Sequence, residues 1–311
     1  MKYLLSIALL LVSVAAYAEE NLVQHLQDVS VTIRSEGGYG VGQGSGNLVT
    51  RKRGDETVTF VWTAAHVVDN LRQLRPYVDP NTGTTKMMIE FKDAAIVQEF
   101  RQDGRRIGEI KMDARVLKYS DADNGEDLAL LQVRKTNFTA NSTTFYLDEK
   151  IPGIGTELYH VGSLLGQIGS NSLTTGVISQ HGRVLNLNGA NGVTFDQTTA
   201  TAFPGSSGGG VFLKSDGRYV GMVVRGAGEG FNLIVPIRRI QKWAKRNNIE
   251  WSLNPAIPVP SDDELAKIKV EDVGANPGGP SKASADAKNY PHLLIREFKD
   301  WDWAEKVLLS E

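Results

Sequence analysis

No cysteine occurs among the 311 residues, which excludes disulfides, zinc–thiolate sites and thiol catalysis. An excess of either charge is also missing: 34 Lys and Arg face 36 Asp and Glu, a formal charge of −2 with His neutral. Proteins that bind nucleic acid carry a basic excess or stripe, so no nucleic-acid partner is expected. Histidine is sparse, and His25, His160, His181 and His292 have no companions at metal-ligand spacing. Neither a metal nor a cofactor is therefore expected. Beyond the first eighteen residues no apolar run approaches transmembrane length.

Those first residues form a separate unit. Lys2 gives a positive start, Leu4 to Ala16 is a largely apolar run, and Ala16-Tyr17-Ala18 has the small-x-small form of a cleavage site. A helix of this length rises only about 20 Å, short of a hydrocarbon core of roughly 30 Å. The segment reads as a signal peptide over 1–18, so the chain is expected to be exported, periplasmic or extracellular, without stable membrane insertion after cleavage. An uncleaved anchor is the alternative.

From Glu19 to Trp251, 32 Gly and 11 Pro in the whole chain break short apolar runs at frequent intervals. Val29–Ile33 and Thr57–Trp62 alternate as half-buried strands. Met87–Phe91 suggests another, and Leu128–Val133 reads as a strand buried on both faces. Val211–Leu213, Val220–Val224 and Phe231–Val235 continue the series. Many short strands joined by Gly-rich turns predict an all-β antiparallel barrel or sandwich. One helix is predicted over Ile237–Arg246, with Ile240, Trp243 and Ala244 on one face and a basic face expected to be solvated.

Candidate chemistry sits at three places. His66 lies in Thr63-Ala64-Ala65-His66-Val67-Val68, just after a strand. Asp127 stands at the mouth of the buried strand Leu128–Val133. Ser207 lies in the glycine loop Phe203-Pro204-Gly205-Ser206-Ser207-Gly208-Gly209-Gly210. Each alone has a structural explanation: a core histidine, a turn-capping acid, a Gly-Ser loop. Together, in the order His, Asp, Ser, they match one chain order of a nucleophilic triad. A serine hydroxyl needs a base to take its proton, and imidazole serves near neutral pH. A buried carboxylate would hold that ring in one tautomer. Glycines flanking Ser207 would let the amides of Gly205 and Ser207 converge on a developing oxyanion.

These residues resemble the trypsin-like serine proteases, closest to the bacterial HtrA (Deg) type. Gly44-Ser45-Gly46-Asn47-Leu48-Val49 is similar to the family's early Gly-Ser-Gly strand. Val161-Gly162-Ser163 and Thr174-Thr175-Gly176-Val177-Ile178-Ser179 are similar to the strand pair before the nucleophile, and Gln197–Gly209 follows the nucleophile segment. The resemblance, from about Val29 to Trp243, implies two six-stranded antiparallel barrels of chymotrypsin-like fold. His66 and Asp127 would come from the first and Ser207 from the second, and the implied activity is serine endopeptidase hydrolysis of protein or peptide substrates through an acyl-enzyme. A non-catalytic binding protein that kept the fold is the alternative. The resemblance also implies a specificity pocket with Thr201 at its floor and Val224, Arg225 and Gly226 in its walls. Gly226 is expected to leave its entrance open, and Arg225 to face solvent beside the substrate strand.

Two features depart from that family. The stretch between Asp69 and Asn124 is longer than usual, and the residues after Trp251 are too few and too interrupted for a PDZ domain. Pro255, Pro258 and Pro260 suggest a stiff linker, Ser261-Asp262-Asp263-Glu264 has the capping-box form, and 274–288 has the composition of a disordered segment. Leu294, Phe298, Trp301 and Leu308 then recur at helical spacing, a stripe that would dock on the folded body or bind a partner. The expected organisation is a signal peptide (1–18), a protease domain (19–251), and a Pro/Gly-rich linker with a short helical tail (252–311).

Overall fold

The computed structural model describes residue 19 and residues 21–37, 40–187, 190–226 and 230–272. The signal segment and the C-terminal aromatic stripe lie outside them. A helix over residues 21–28 (α1) leads into β1 (Ser30–Gly37), β2 (Gly40–Arg53) and β3 (Glu56–Thr63). Next come α2 (Ala65–Val68), a 3-10 turn at Asp69–Leu71, β4 (Arg72–Val78), β5 (Thr85–Phe91), β6 (Ala94–Gln102), β7 (Arg105–Ser120) and β8 (Leu128–Val133). The second half contributes β9 (Glu157–Leu164), β10 (Gly169–Leu187), β11 (Ala190–Thr198), β12 (Gly210–Leu213), β13 (Tyr219–Gly226) and β14 (Asn232–Pro236). It ends with α3 (Ile237–Arg246), a 3-10 turn at Glu250–Ser252, and α4 (Asp262–Ala266).

Twelve of these strands form two closed antiparallel barrels of six, in the orders β1-β2-β3-β8-β7-β6 and β10-β11-β14-β13-β12-β9. This is the chymotrypsin-like, mostly β architecture expected from the sequence. β8 is buried along its whole length, as its apolar run, broken only by Gln132, requires, because neither face can be left to water. The extra length before Asp127 resolves into two hairpins. β4 and β5 pair only with each other, as a separate two-stranded ribbon. β6 and β7 are joined through Asp103 and Gly104, both with positive φ (51° and 71°), the Asp-Gly turn that suits a tight hairpin.

The C-terminal elements tie the halves together. α3 follows the second barrel, is held to it through Arg238 and Asp196, and also reaches the first, where Trp243 meets Trp62 edge-on at 5.7 Å. Phe60 of β3 likewise meets Trp251 at 4.6 Å. Such pairs contribute about 0.5–1.5 kcal/mol each beyond the area they bury. Beneath them Arg51 points its buried guanidinium at the carbonyls of Trp251, Ser252 and Leu253 (3.2 Å each), and burial pulls its pKa down to about 10.

Two findings differ from the sequence reading. The basic face of α3 is not simply solvated. Arg238 makes a two-pronged bond to Asp196 (2.5 and 2.6 Å), and Arg239 reaches Glu126 (2.7 Å). The folded body also continues past the expected linker. The Ser261–Glu264 capping box forms as its sequence leads one to expect, but it is also docked: Arg53 grips Asp262 (2.7 and 2.9 Å), and Leu265 is buried. Residues 269–272 then run beside β7, with Tyr119 N donating to Val270 O (2.8 Å) and Asp272 N to Tyr119 O (3.1 Å). These partners, contributed by the first barrel, were not legible in the sequence.

Candidate active site

β3 and β8 are hydrogen-bonded neighbours with Thr63 opposite Ala129, so the residues just beyond their adjoining ends meet. His66, on α2 after β3, and Asp127, immediately before β8, are those residues. His66 Nδ1 lies 3.0 Å from both carboxylate oxygens of Asp127, and His66 N donates to Oδ1 at 3.1 Å. A carboxylate only accepts, so Nδ1 carries the ring proton of the neutral imidazole and Nε2 is left as the basic nitrogen. Burial alone would raise the pKa of Asp127, but the positive charge that His66 carries when protonated, its hydrogen bonds and the charge of Arg225 outweigh it and hold the carboxyl at about 2. Asp127 adopts a left-handed φ of 54°, a conformation in which Asp and Asn are several-fold enriched among non-glycine residues. The loop is clamped from behind, where Arg239 binds both the carboxylate and the carbonyl of Glu126 and Arg246 binds its carboxylate.

The glycine loop separates its two serines. Ser206 is buried, its amide donating to Phe203 O (2.8 Å) and its hydroxyl accepting from Phe203 N (3.1 Å). Ser207 is half-exposed. Gly205 and Gly208 flank the pair with φ of 95° and 86°, left-handed values that penalise any side chain. A Cβ on Gly205 would fall 2.2 Å from Ser163 O, and one on Gly208 2.3 Å from Thr63 Oγ1. The loop is thereby pressed against the end of β3, close to His66.

Ser45 connects this loop to both barrels. Its amide donates to Ser207 O (2.7 Å), and its hydroxyl donates to Gly205 O (2.7 Å) while accepting from Ser163 N of β9 (2.7 Å). On the other side of the loop Leu165 N donates to Pro204 O (2.7 Å), fixing the peptide that carries the Gly205 amide. The amides of Gly205 and Ser207 donate to no acceptor among the described residues. The structure thus joins His66 to Asp127 directly and seats Ser207 beside them through Ser45. It shows no hydrogen bond between the Ser207 hydroxyl and His66 among the described residues. Bonds of that kind often tighten only when substrate is held.

Of the residues expected in the pocket, Val224 is buried, and Thr201 accepts a bond from Thr174 Oγ1 at its carbonyl (2.8 Å). Two expectations are corrected. Gly226 does not leave an open entrance: a Cβ there would lie 2.1 Å from Asn232 Oδ1, so the buried Asn232 amide occupies that space, anchored by Nδ2 donating to Ala200 O (2.8 Å). Arg225 is only partly exposed: its Nε is buried, and it lines a small cavity with Asp127, Phe195 and Arg239. In the sequence, a glycine next to a β-bulge on its own strand says nothing about which neighbour fills the gap.

The family model described as the trypsin-like peptidase domain matches residues 44–222, more than half of the chain, which therefore belongs to that family. Solved structures share the fold at low identity. The HtrA-type protease AlgW with a tripeptide is 19% identical over 76% of this chain and 64% of its own, with a TM-score of 0.51. The serine endoprotease from Yersinia pestis is 18% identical over 73% and 65%, at 0.51. Deg5 is 19% identical over 77% and 98%, at 0.52. The chain thus spans a little under two thirds of the first two. No curated protein matches the sequence. Among the described residues no helix is long and apolar enough to cross a membrane.

Proposed function

We propose that this chain is an exported serine endopeptidase. The observation that carries the reading is the buried Asp127 carboxylate bonded to His66 Nδ1 within a trypsin-like peptidase domain. In the proposed reaction Ser207 Oγ attacks the scissile carbonyl as His66 Nε2 takes its proton. Asp127 holds the ring and stabilises the imidazolium. The amides of Gly205 and Ser207 receive the oxyanion; one such donor is typically worth about a hundred- to a thousandfold in rate. The tetrahedral adduct collapses as His66 returns the proton to the leaving amine. A water then repeats the sequence on the acyl-enzyme, releasing the acid and restoring Ser207. Because Ser206 carries no charge to receive a newly cut N-terminus and is already hydrogen-bonded within the loop, removal of 1–18 is the only processing the reading requires.

A fluorophosphonate probe tests this directly. The chain beginning at Glu19 should be labelled at Ser207 and nowhere else, and should cleave a peptide library. An unlabelled Ser207 with no turnover would make the chain a binding protein on a protease fold.

Two outcomes follow from the geometry. Ser45→Ala should lower kcat about ten- to a hundredfold at nearly constant KM, because the oxyanion loop loses a tether that aligns it and misalignment near 1 Å is costly. Affinity for a peptide boronate, which mimics the tetrahedral adduct, should fall in step; a parallel loss of ground-state binding would assign Ser45 to fold maintenance alone. In specificity, the Asn232 amide beside Gly226 narrows the expected pocket, so Ala or Ser is the expected residue before the cleaved bond, and an unpaired buried charge is disfavoured by its desolvation cost. Library profiling should show this preference, with Asn232→Gly widening it toward Val and Leu by about tenfold.

A further inference from the structure

The ribbon β4–β5 stands outside both barrels and begins at Arg72, directly after the 3-10 turn that follows α2. Its pairing places Leu74 opposite Ile89, Pro76 opposite Met87 and Val78 opposite Thr85. Since side chains alternate across a strand, one face is almost wholly apolar. That face is open: Val78 is 64% and Met87 57% exposed. The other face satisfies itself through the Arg75–Glu90 and Lys86–Asp79 ion pairs. An isolated two-stranded sheet is marginal in water, and a concentrated apolar face on a projecting element marks an interaction surface.

The path of the chain points to its occupant. The last described residues end at the foot of this ribbon. Glu271 pairs with Arg72, and Asp272 accepts from Trp243 Nε1 (2.6 Å). Another 39 residues follow. A stretch rich in Gly, Pro, Ser and Ala comes first, then Leu294, Phe298, Trp301, Ala304 and Leu308 at helical spacing, an apolar stripe about as long as the ribbon. We propose that this C-terminal segment, residues 294–308, docks in cis on the apolar face of β4–β5. A linker of some twenty residues has a root-mean-square reach of about 25 Å, and a seven-residue strand is about 23 Å long. The tether therefore holds the stripe at millimolar effective concentration, which favours it over a second copy of the chain.

The test uses the full chain and does not depend on proteolysis. Hydrogen exchange is compared between wild type and Phe298→Asp/Trp301→Asp, with β8 amides as the control for an intact fold. Ribbon amides in β4 and β5 should exchange at least tenfold faster in the variant while β8 is unchanged. Equal ribbon rates would overturn the proposal. The absence of native cysteine allows a second measurement on the Met87→Cys/Ala304→Cys chain with a short bismaleimide. A cross-link at monomer mass is expected. One formed only at dimer mass would assign the ribbon to a second copy, and none at either mass would leave the tail elsewhere; both outcomes overturn it.

Discussion

Ser207→Ala is expected to lower kcat by about a millionfold while leaving Tm unchanged, since a serine nucleophile and its base act as one unit. The Ser207 hydroxyl makes no side-chain hydrogen bond among the described residues, so its loss removes chemistry without removing a native contact. His66→Ala should cost a similar factor, and the double variant should be scarcely worse than either single one. That lack of additivity is the signature sought, because independent contributions would multiply. Asp127→Asn should cost about 10⁴-fold. Asn is the informative substitution here: it tolerates the left-handed φ of 54° and keeps the side-chain volume, but its amide group favours the wrong imidazole tautomer. The assay is hydrolysis of a peptide chosen by library profiling, with thermal unfolding measured alongside. If Ser206→Ala were the dead variant and Ser207→Ala active, the nucleophile would be misassigned by one residue.

The parts of this site that were legible in the sequence are those written locally. His66, Asp127 and Ser207 each sit at the end of a strand whose apolar pattern is readable, and the paired glycines after Ser207 fix which serine is turned outward. Parts built from distant segments were not legible. Ser45 meets Gly205 and Ser163 across more than a hundred residues, and nothing in a Gly-Ser-Gly triplet indicates where the hydroxyl is aimed. The same holds for Arg239, whose sequence context is an amphipathic helix but whose guanidinium braces the residue before Asp127. Arg225 shows the reverse failure. It lies just past the strand expected over Val220–Val224, which in the structure runs on to Gly226, and a β-bulge between Val223 and Arg225 breaks the simple alternation on which a prediction of facing depends. Capping of α4 was readable because a capping box is a four-residue code; the docking of residues 269–272 depends on β7.

That docking carries the second large effect. Glu271→Ala should destabilise the protein by about 3 kcal/mol, equivalent to a fall in Tm of about 6–12 °C for a domain of this size. Arg72 is nearly inaccessible, and Glu271 meets it with both carboxylate oxygens. Removing one member of a buried pair leaves the other charge without that compensation, which typically costs about 3–5 kcal/mol. The lower end applies because Asp69 also bears on Arg72. The double variant Arg72→Met/Glu271→Met should recover most of the loss, since replacing both charges by apolar groups removes the desolvation penalty together with the attraction. Activity should respond as well. Tyr119 donates its hydroxyl to Asp69, three residues after His66, and its backbone pairs with the 269–272 segment. Loosening that segment therefore loosens the turn that follows α2. Truncation after Pro260 consequently tests more than a tether. It removes Leu265, Glu271 and Asp272 from the first barrel, and should lower Tm at least as far as Glu271→Ala does. Truncation after Asp272 keeps all three and should leave Tm within about 2 °C of wild type if residues 252–272 are structural. Equal losses from both truncations would place the stabilising contacts beyond Asp272 and overturn this account of residues 252–272.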